Sequence, residues 1–351
     1  MRKKSGIQNL SIARIVSGLI ACLSSTILFL TASCSDESSL VSPYGGDSLY
    51  IAGSCDTPDR AYGVVVSGDY AYIADRGSGL QVIYVRSPWR PAIIGSIELP
   101  NMARNVAVSG DYAYIADGVS GLQVVDISSP QSPTIIGSVN TWSAAVDVVV
   151  SGDYAYITDS ELGLQVADIS IPSSPDIIGS VNKWATSLSV AVSGDYAYVA
   201  IRDPHTKTGM SVLGSISGLR VIDISTPTSP TIIGFVITPG DALGVAVSGN
   251  HVLVANAFLG LQVIDVSTPS SPAIVGSVDT PGYALDVTID GEYAYLADGG
   301  GLLVIDISVP TAPRIIGSID TPDIAWDVVV SGAYAYIADG HSGLQIVRHQ
   351  F

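Results

Sequence analysis

Carboxylates are the groups in this chain best placed to do chemistry. Asp147, Asp286 and Asp327 each open a short β-branched run, as in Asp147-Val148-Val149-Val150 and Asp327-Val328-Val329-Val330. Asn105 and Ser189 occupy equivalent places. Carboxylates gathered at one opening suit two chemistries. They can hold a hard cation such as Ca2+ through oxygen contacts of about 2.3–2.6 Å. They can also act as acid and base on a glycan, which needs carboxyl groups about 5–10 Å apart and one raised pKa. A second series comprises Asp75, Asp117, Asp159, Asp298 and Asp339, with Asn256 in register. Packed sheets sit roughly 10 Å apart, too far for neighbours to share an ion, so this series is expected to cap turns.

Other reactive groups are sparse. His205, His251, His341 and His349 show no metal-ligand spacing. No glycine-rich phosphate loop precedes a helix, and the serines cluster in turns without a nearby base. No residue is therefore assigned a catalytic role. The stronger signal is aromatic. Tyr62, Arg104, Trp142, Lys183, Trp184, Tyr283 and Trp326 fall in connecting segments that differ from one another, where Trp and Tyr commonly anchor binding.

The elements that must position these residues form a repeat. Ser-Gly followed by an aromatic strand recurs at Ser67, Ser109, Ser151 and Ser193, 42 residues apart, then at Ser248, Asp290 and Ser331. A constant period near forty marks an array of β units that cannot bury their faces alone. Each unit reads as four short strands with tight connections and no helical period, one blade of a propeller. Tyr70 and Tyr72 share one face of a second strand, with Ala71 and Ile73 on the other, so large faces can stack on small ones around the ring. The fourth-strand string Ile-Ile-Gly-Ser has its seventh copy at Ile51-Ala52-Gly53-Ser54, ahead of everything else, while the last unit stops after a third strand. Residues 50–56 are thus expected to complete a seventh four-stranded antiparallel blade and cover an open edge. Between Ser193 and Ser248 the spacing is 55, a 13-residue insertion within 202–216 that is expected to project from the loop rim.

The strings Leu122-Gln123-Val124-Val125-Asp126-Ile127-Ser128 and Leu302-Leu303-Val304-Ile305-Asp306-Ile307-Ser308, each followed by a Pro-x-x-Pro loop, resemble the LVIVD repeat family over residues 50–351. The resemblance implies an extracytoplasmic propeller that works as an interaction module. Tyr84 and Arg348 replace the repeat aspartate, so those two units are expected to end differently.

Residues 1–33 have the layout of an export signal, with Arg2, Lys3, Lys4 and Arg14 before an apolar run. Leu30-Thr31-Ala32-Ser33-Cys34 resembles a lipoprotein signal in which Cys34 is acylated, leaving residues 34–49 as a flexible linker. Leu19-Ile20-Ala21-Cys22 fits the local pattern better, but cutting there would leave Leu23 to Leu30 as an exposed greasy tail. Ordinary cleavage nearby and an uncleaved anchor are the alternatives. Once Cys34 is acylated, Cys55 is the only cysteine left in the exported part, aligned with Val139 and Val278 and expected to be a small core residue. The first 33 residues hold four basic groups and no acidic one, leaving 11 basic against 32 acidic residues, a net of −21. Such a surface repels phosphate backbones and disfavours nucleic acid as a partner. The expectation is a monomeric, lipid-anchored propeller binding a protein or glycan at its loop rim. A carboxylate-based glycan hydrolase or lyase and a structural adhesion component are the contrasting readings.

Overall fold

The computed structural model describes residues 49–181, 186–203 and 217–350. Among them are 28 strands and no helix. The strands make seven separate four-stranded antiparallel sheets, the blades of a propeller. Blades 1 to 6 span residues 63–97, 105–139, 145–181, 186–237, 244–278 and 286–325. Blade 7 takes three strands from residues 327–349 and its fourth from Leu49–Cys55, which pairs antiparallel with Leu344–His349. The expected closure is present, starting one residue earlier than the repeat suggested.

Local chemistry explains the blade. Ser67 pairs directly with Tyr70, so Gly68 and Asp69 form a two-residue hairpin. Gly68 has φ 58°, a left-handed value that only glycine adopts cheaply at the first central position. The same turn joins first to second strands in every blade, with Asp290-Gly291 in blade 6. At the other end of the third strand, Asp126 Oδ1 accepts hydrogen bonds from the Ser128 amide and hydroxyl, at 2.9 and 2.6 Å. Asp168, Asp223 and Asp306 repeat that cap. The two exceptions end differently, as their sequences implied. Tyr84 stacks at a tilt on Tyr70, 5.8 Å between centroids, and Arg348 donates to the Tyr50 hydroxyl at 3.1 Å.

Blades adhere by packing large on small. Tyr72, Leu80 and Val82 of blade 1 form one cluster with Ala113, Ile115 and Val125 of blade 2. The pattern continues around the ring to Tyr336 of blade 7, which packs on Ala71 and Ile73 of blade 1 together with Cys55. Cys55 is buried, the small core residue expected of it. In blade 5 Leu253 replaces the inner tyrosine and His251 the outer one, without breaking the series.

The fourth-strand glycine marks a second interblade contact. A Cβ on Gly95 would lie 2.1 Å from the Pro130 carbonyl oxygen, and one on Gly137 2.4 Å from that of Pro172. Each Pro-x-x-Pro loop thus rests on the bare backbone of the preceding blade. Gly53 meets Pro88 of blade 1 in the same way, with 2.2 Å to its carbonyl oxygen, so the closing blade docks like the rest.

Blade 6 departs from the common plan. Its fourth strand, Arg314–Ala325, runs on through residues expected to form a loop, and Ala325 pairs with Gly299.

Deleting residues 50–56 removes the fourth strand of blade 7 and the Gly53 contact together. Thermal unfolding should show a large drop in Tm or loss of the cooperative transition; an unchanged Tm would refute closure by this strand.

Candidate functional site

The first strands of all seven blades begin around the axis with one polar or glycine position followed by valine. Read around the ring it is Gly63, Asn105, Asp147, Ser189, Gly244, Asp286 and Asp327. The acids reach across blade boundaries. The Val190 amide of blade 4 donates to Asp147 Oδ2 at 2.9 Å, and the Val64 amide of blade 1 donates to Asp327 Oδ2 at 2.7 Å. The Val328 amide donates to Asp286 Oδ2 at 3.3 Å. Each carboxylate therefore satisfies an amide of the next blade that has no partner strand on the axis side. Where glycine stands instead, the next blade comes too close for a side chain: a Cβ on Gly244 would lie 2.6 Å from Asp286 Cα.

Burial, the dominant influence, pushes the Asp147 carboxyl up to about 6 against the hydrogen bonds that favour its charge. Asp286 and Asp327 lie on adjacent blades and hydrogen-bond to each other through their side chains. Burial drives Asp286 well above the usual carboxylate range, and the Asp327 charge adds to it, with a smaller contribution from Asp147. Asp327 is also raised by burial but held down by the bond from Asp286. Two carboxyls in contact disfavour carrying two charges at once, so the pair holds one proton between them.

One residue earlier in each blade a second ring stands above the first. Val146, Leu188, Leu243 and Leu285 supply aliphatic groups, while Tyr62, Arg104 and Trp326 occupy the remaining three places. These side chains, with the carboxylates beneath, surround a cavity of about 890 Å³. Two aromatic pairs wall it. Tyr62 and Trp326 meet edge to face at 4.8 Å across the blade 7–blade 1 boundary. Phe258 and Tyr283 meet at 4.5 Å across the blade 5–blade 6 boundary. A concave, largely apolar hollow with a few convergent polar groups is the usual form of a ligand site.

The structure brings together Tyr62, Arg104, Tyr283, Trp326, Asp147, Asp286 and Asp327 in this one cavity. Trp142 is elsewhere: it is 78% exposed, outside the lining, with φ 72° and its amide bonded to Asn140 Oδ1. Lys183, Trp184, Cys34, residues 204–216 and His205 lie outside the described residues. Phe258 and Arg202 line the cavity without having been singled out, and so does the aliphatic ring. The signal for that ring was present, a large residue just before the polar-Val step in every repeat. It reads locally as ordinary strand entry.

The second-strand aspartates cap loops. Asp75 accepts from Thr57 Oγ1 at 2.7 Å and the Asp59 amide at 3.0 Å, and Asp339 from Thr321 Oγ1 at 2.6 Å and the Asp323 amide at 3.1 Å. Burial raises both to about 6. Asn256 is fully buried in the equivalent place. Of the histidines, His341 accepts from Arg60 Nε at 2.7 Å, and His349 is buried against the Tyr295 hydroxyl at 3.0 Å. No three His, Cys, Asp or Glu side chains among the described residues converge as a metal-holding group. Asp286 and Asp327 are in direct contact, closer than the separation at which paired carboxyls flank a glycosidic bond.

The LVIVD repeat family matches residues 59–98, 100–141, 144–183, 186–204, 215–238, 239–280, 281–321 and 323–347. No curated protein matches the chain in sequence. Among solved structures, the WD40 repeats of RRP9 are 10% identical over 87% of this chain and 98% of that one, with a TM-score of 0.66. The computationally designed Ika8 protein is 9% identical over 91% and 96%, with a TM-score of 0.62. At such identities the likeness concerns the fold alone.

Linkage fixes a pH dependence. Asp75, Asp117, Asp147 and Asp339 sit at about 6 in the fold and near about 3.9 in an unfolded chain. The folded protein binds more protons across that interval, so their contribution is complete below it and is lost as pH rises through about 6. His349, lowered by burial, works the other way, losing stability as pH falls through its range. Four acids outweigh one histidine, so Tm should be higher at about pH 5 than at about pH 7.5. Calorimetry showing Tm rising with pH would contradict this assignment of buried, protonated aspartates.

Proposed function

We propose that this chain, which belongs to the LVIVD repeat family, is an exported, lipid-anchored binding module that receives a protein or glycan partner in the axial cavity. The observation that carries this reading is the cavity itself. It gathers both aromatic pairs and the convergent carboxyls at the one place where all seven blades meet. The hollow suits a protruding side chain or a sugar ring, with aromatic faces for its apolar side and fixed acceptors beneath. A site assembled from first-strand residues is held by the blades, whereas the exposed rim loops around Trp142 would serve as secondary contacts.

Anchoring rests on the sequence of the leader. Basic residues precede an apolar stretch and Cys34 follows small residues, so the acylated cysteine would become the first residue of the mature protein. A multiply acylated terminus holds firmly to a membrane where one chain would not. Residues 35–48 would then tether the propeller at the surface.

Two experiments address these proposals. Affinity capture from native membranes should recover a stoichiometric partner with the unaltered protein and with Trp142→Ala, and lose it with Tyr62→Ala/Trp326→Ala. Equal recovery by the double variant, with its fold verified by circular dichroism, would move the site off the cavity. Metabolic labelling with a palmitate analogue should tag the protein and fail with Cys34→Ser; label retained by that variant would overturn acylation at Cys34.

A further inference from the structure

Resting on that reading of the cavity, we propose that its occupant is a protein segment presenting a lysine side chain, whose ammonium lodges between the Asp286–Asp327 pair and the rings of Tyr62 and Trp326. Shape and charge complementarity both point there. The two carboxyls lie on the cavity floor beside each other, and the edge-to-face Tyr62–Trp326 pair belongs to the same boundary region of blades 6, 7 and 1. An ammonium offers three donors, enough to bond both carboxylates at once. Aromatic faces attract a cation, more so when it is withdrawn from water. Above the floor, Leu285 and its aliphatic neighbours match the methylene stem of lysine, which packs on apolar surface while its head seeks polar partners.

The remaining charged groups favour a peptide over a bare cation. Asp147 lines the same cavity and adds to the negative field at Asp286. Asp298 lines the wall, fastened to Thr280 and the Gly282 amide, and Tyr283 stands beside Arg202. Arg104 and Arg202 also line the cavity, and neither forms an ion pair among the described residues. They offer partners to acidic residues flanking a lysine, contacts that a bare cation could not use.

Occupancy displaces the shared proton. The ammonium enters with all its hydrogens and its charge, the O–H bond of the protonated member of the carboxyl pair breaks, and that proton goes to solvent. Binding therefore releases a proton and weakens in acid.

The test uses Nα-acetyl-lysine methylamide and its Nε-acetylated form as probes, followed by calorimetry in two buffers of different ionisation enthalpy and by methyl NMR of Leu188, Leu243 and Leu285. The charged probe should shift those methyls and release a proton, with affinity falling about tenfold per pH unit below the release range. The response should vanish in Asp286→Asn and in Asp327→Asn and persist in Asp111→Asn and in Asp153→Asn, each of which takes one carboxylate from an exposed turn. If the cavity variants do not fold, proton release by the unaltered protein still decides. Equal binding of the neutral probe, or methyl shifts caused by calcium chloride at lower concentration, would overturn the lysine assignment. Shifts produced only by neutral oligosaccharides would overturn it while leaving the cavity a binding site. Silence toward every probe would overturn it too, and partner capture unaffected by Tyr62→Ala/Trp326→Ala would then dismiss the cavity itself.

Discussion

Everything in this propeller depends on the fit between a bulky blade face and a small one. Tyrosine and leucine on one blade settle over alanine and isoleucine on the next, and the relation repeats until Tyr336 meets Ala71 and Ile73. Because the two faces differ, each blade has one correct neighbour on either side, and stacking is directional. A buried Val, Ile or Leu contributes on the order of 1.5–3 kcal/mol, which the ring multiplies without any disulfide. A single blade exposes both faces and so has little reason to persist alone.

The glycine–proline contact serves the same end at the outer edge. Gly95, Gly137 and Gly53 let a neighbouring loop carbonyl approach at a distance that any side chain would block. Stacking and loop docking both recur at the seam between Cys55 and Gly53 on one side and blade 1 on the other, so the joint made by distant chain ends is built like the internal ones.

At the axis the geometry has a different consequence. First strands crowd together there, and their inward edges have no further strand to pair with. Carboxylates from one blade take up amides of the next, which places Asp147, Asp286 and Asp327 near one another in a confined space. Structural service and chemical potential coincide in these residues: the bonds that close blade boundaries also hold two acids in contact, where burial raises both and the Asp327 charge raises Asp286 further. The aromatic and aliphatic ring above completes a site that belongs to no single blade.

Repetition made the architecture legible in the amino-acid order. The Ser-Gly turns, the alternation of Tyr70-Ala71-Tyr72-Ile73 and the displaced copy of Ile-Ile-Gly-Ser established blade, face and closure, because each is a local pattern with a local physical cause. Part of the site was legible as well, since Asp147, Asp286 and Asp327 occupy one repeat position and Tyr62 and Trp326 another. Which residues meet was decided only by the closed ring. Trp142 and Trp326 look alike as connecting aromatics, yet one projects into solvent and the other walls the cavity. Asp286 and Asp327 are 41 positions apart in the chain and touch only because consecutive blades converge on the axis. Phe258 could not be chosen from its neighbours, for its partner Tyr283 arrives from another blade. A sequence encodes the period of its own strands; the curvature that brings successive first strands to a common centre arises from packing, and that curvature assembled the site.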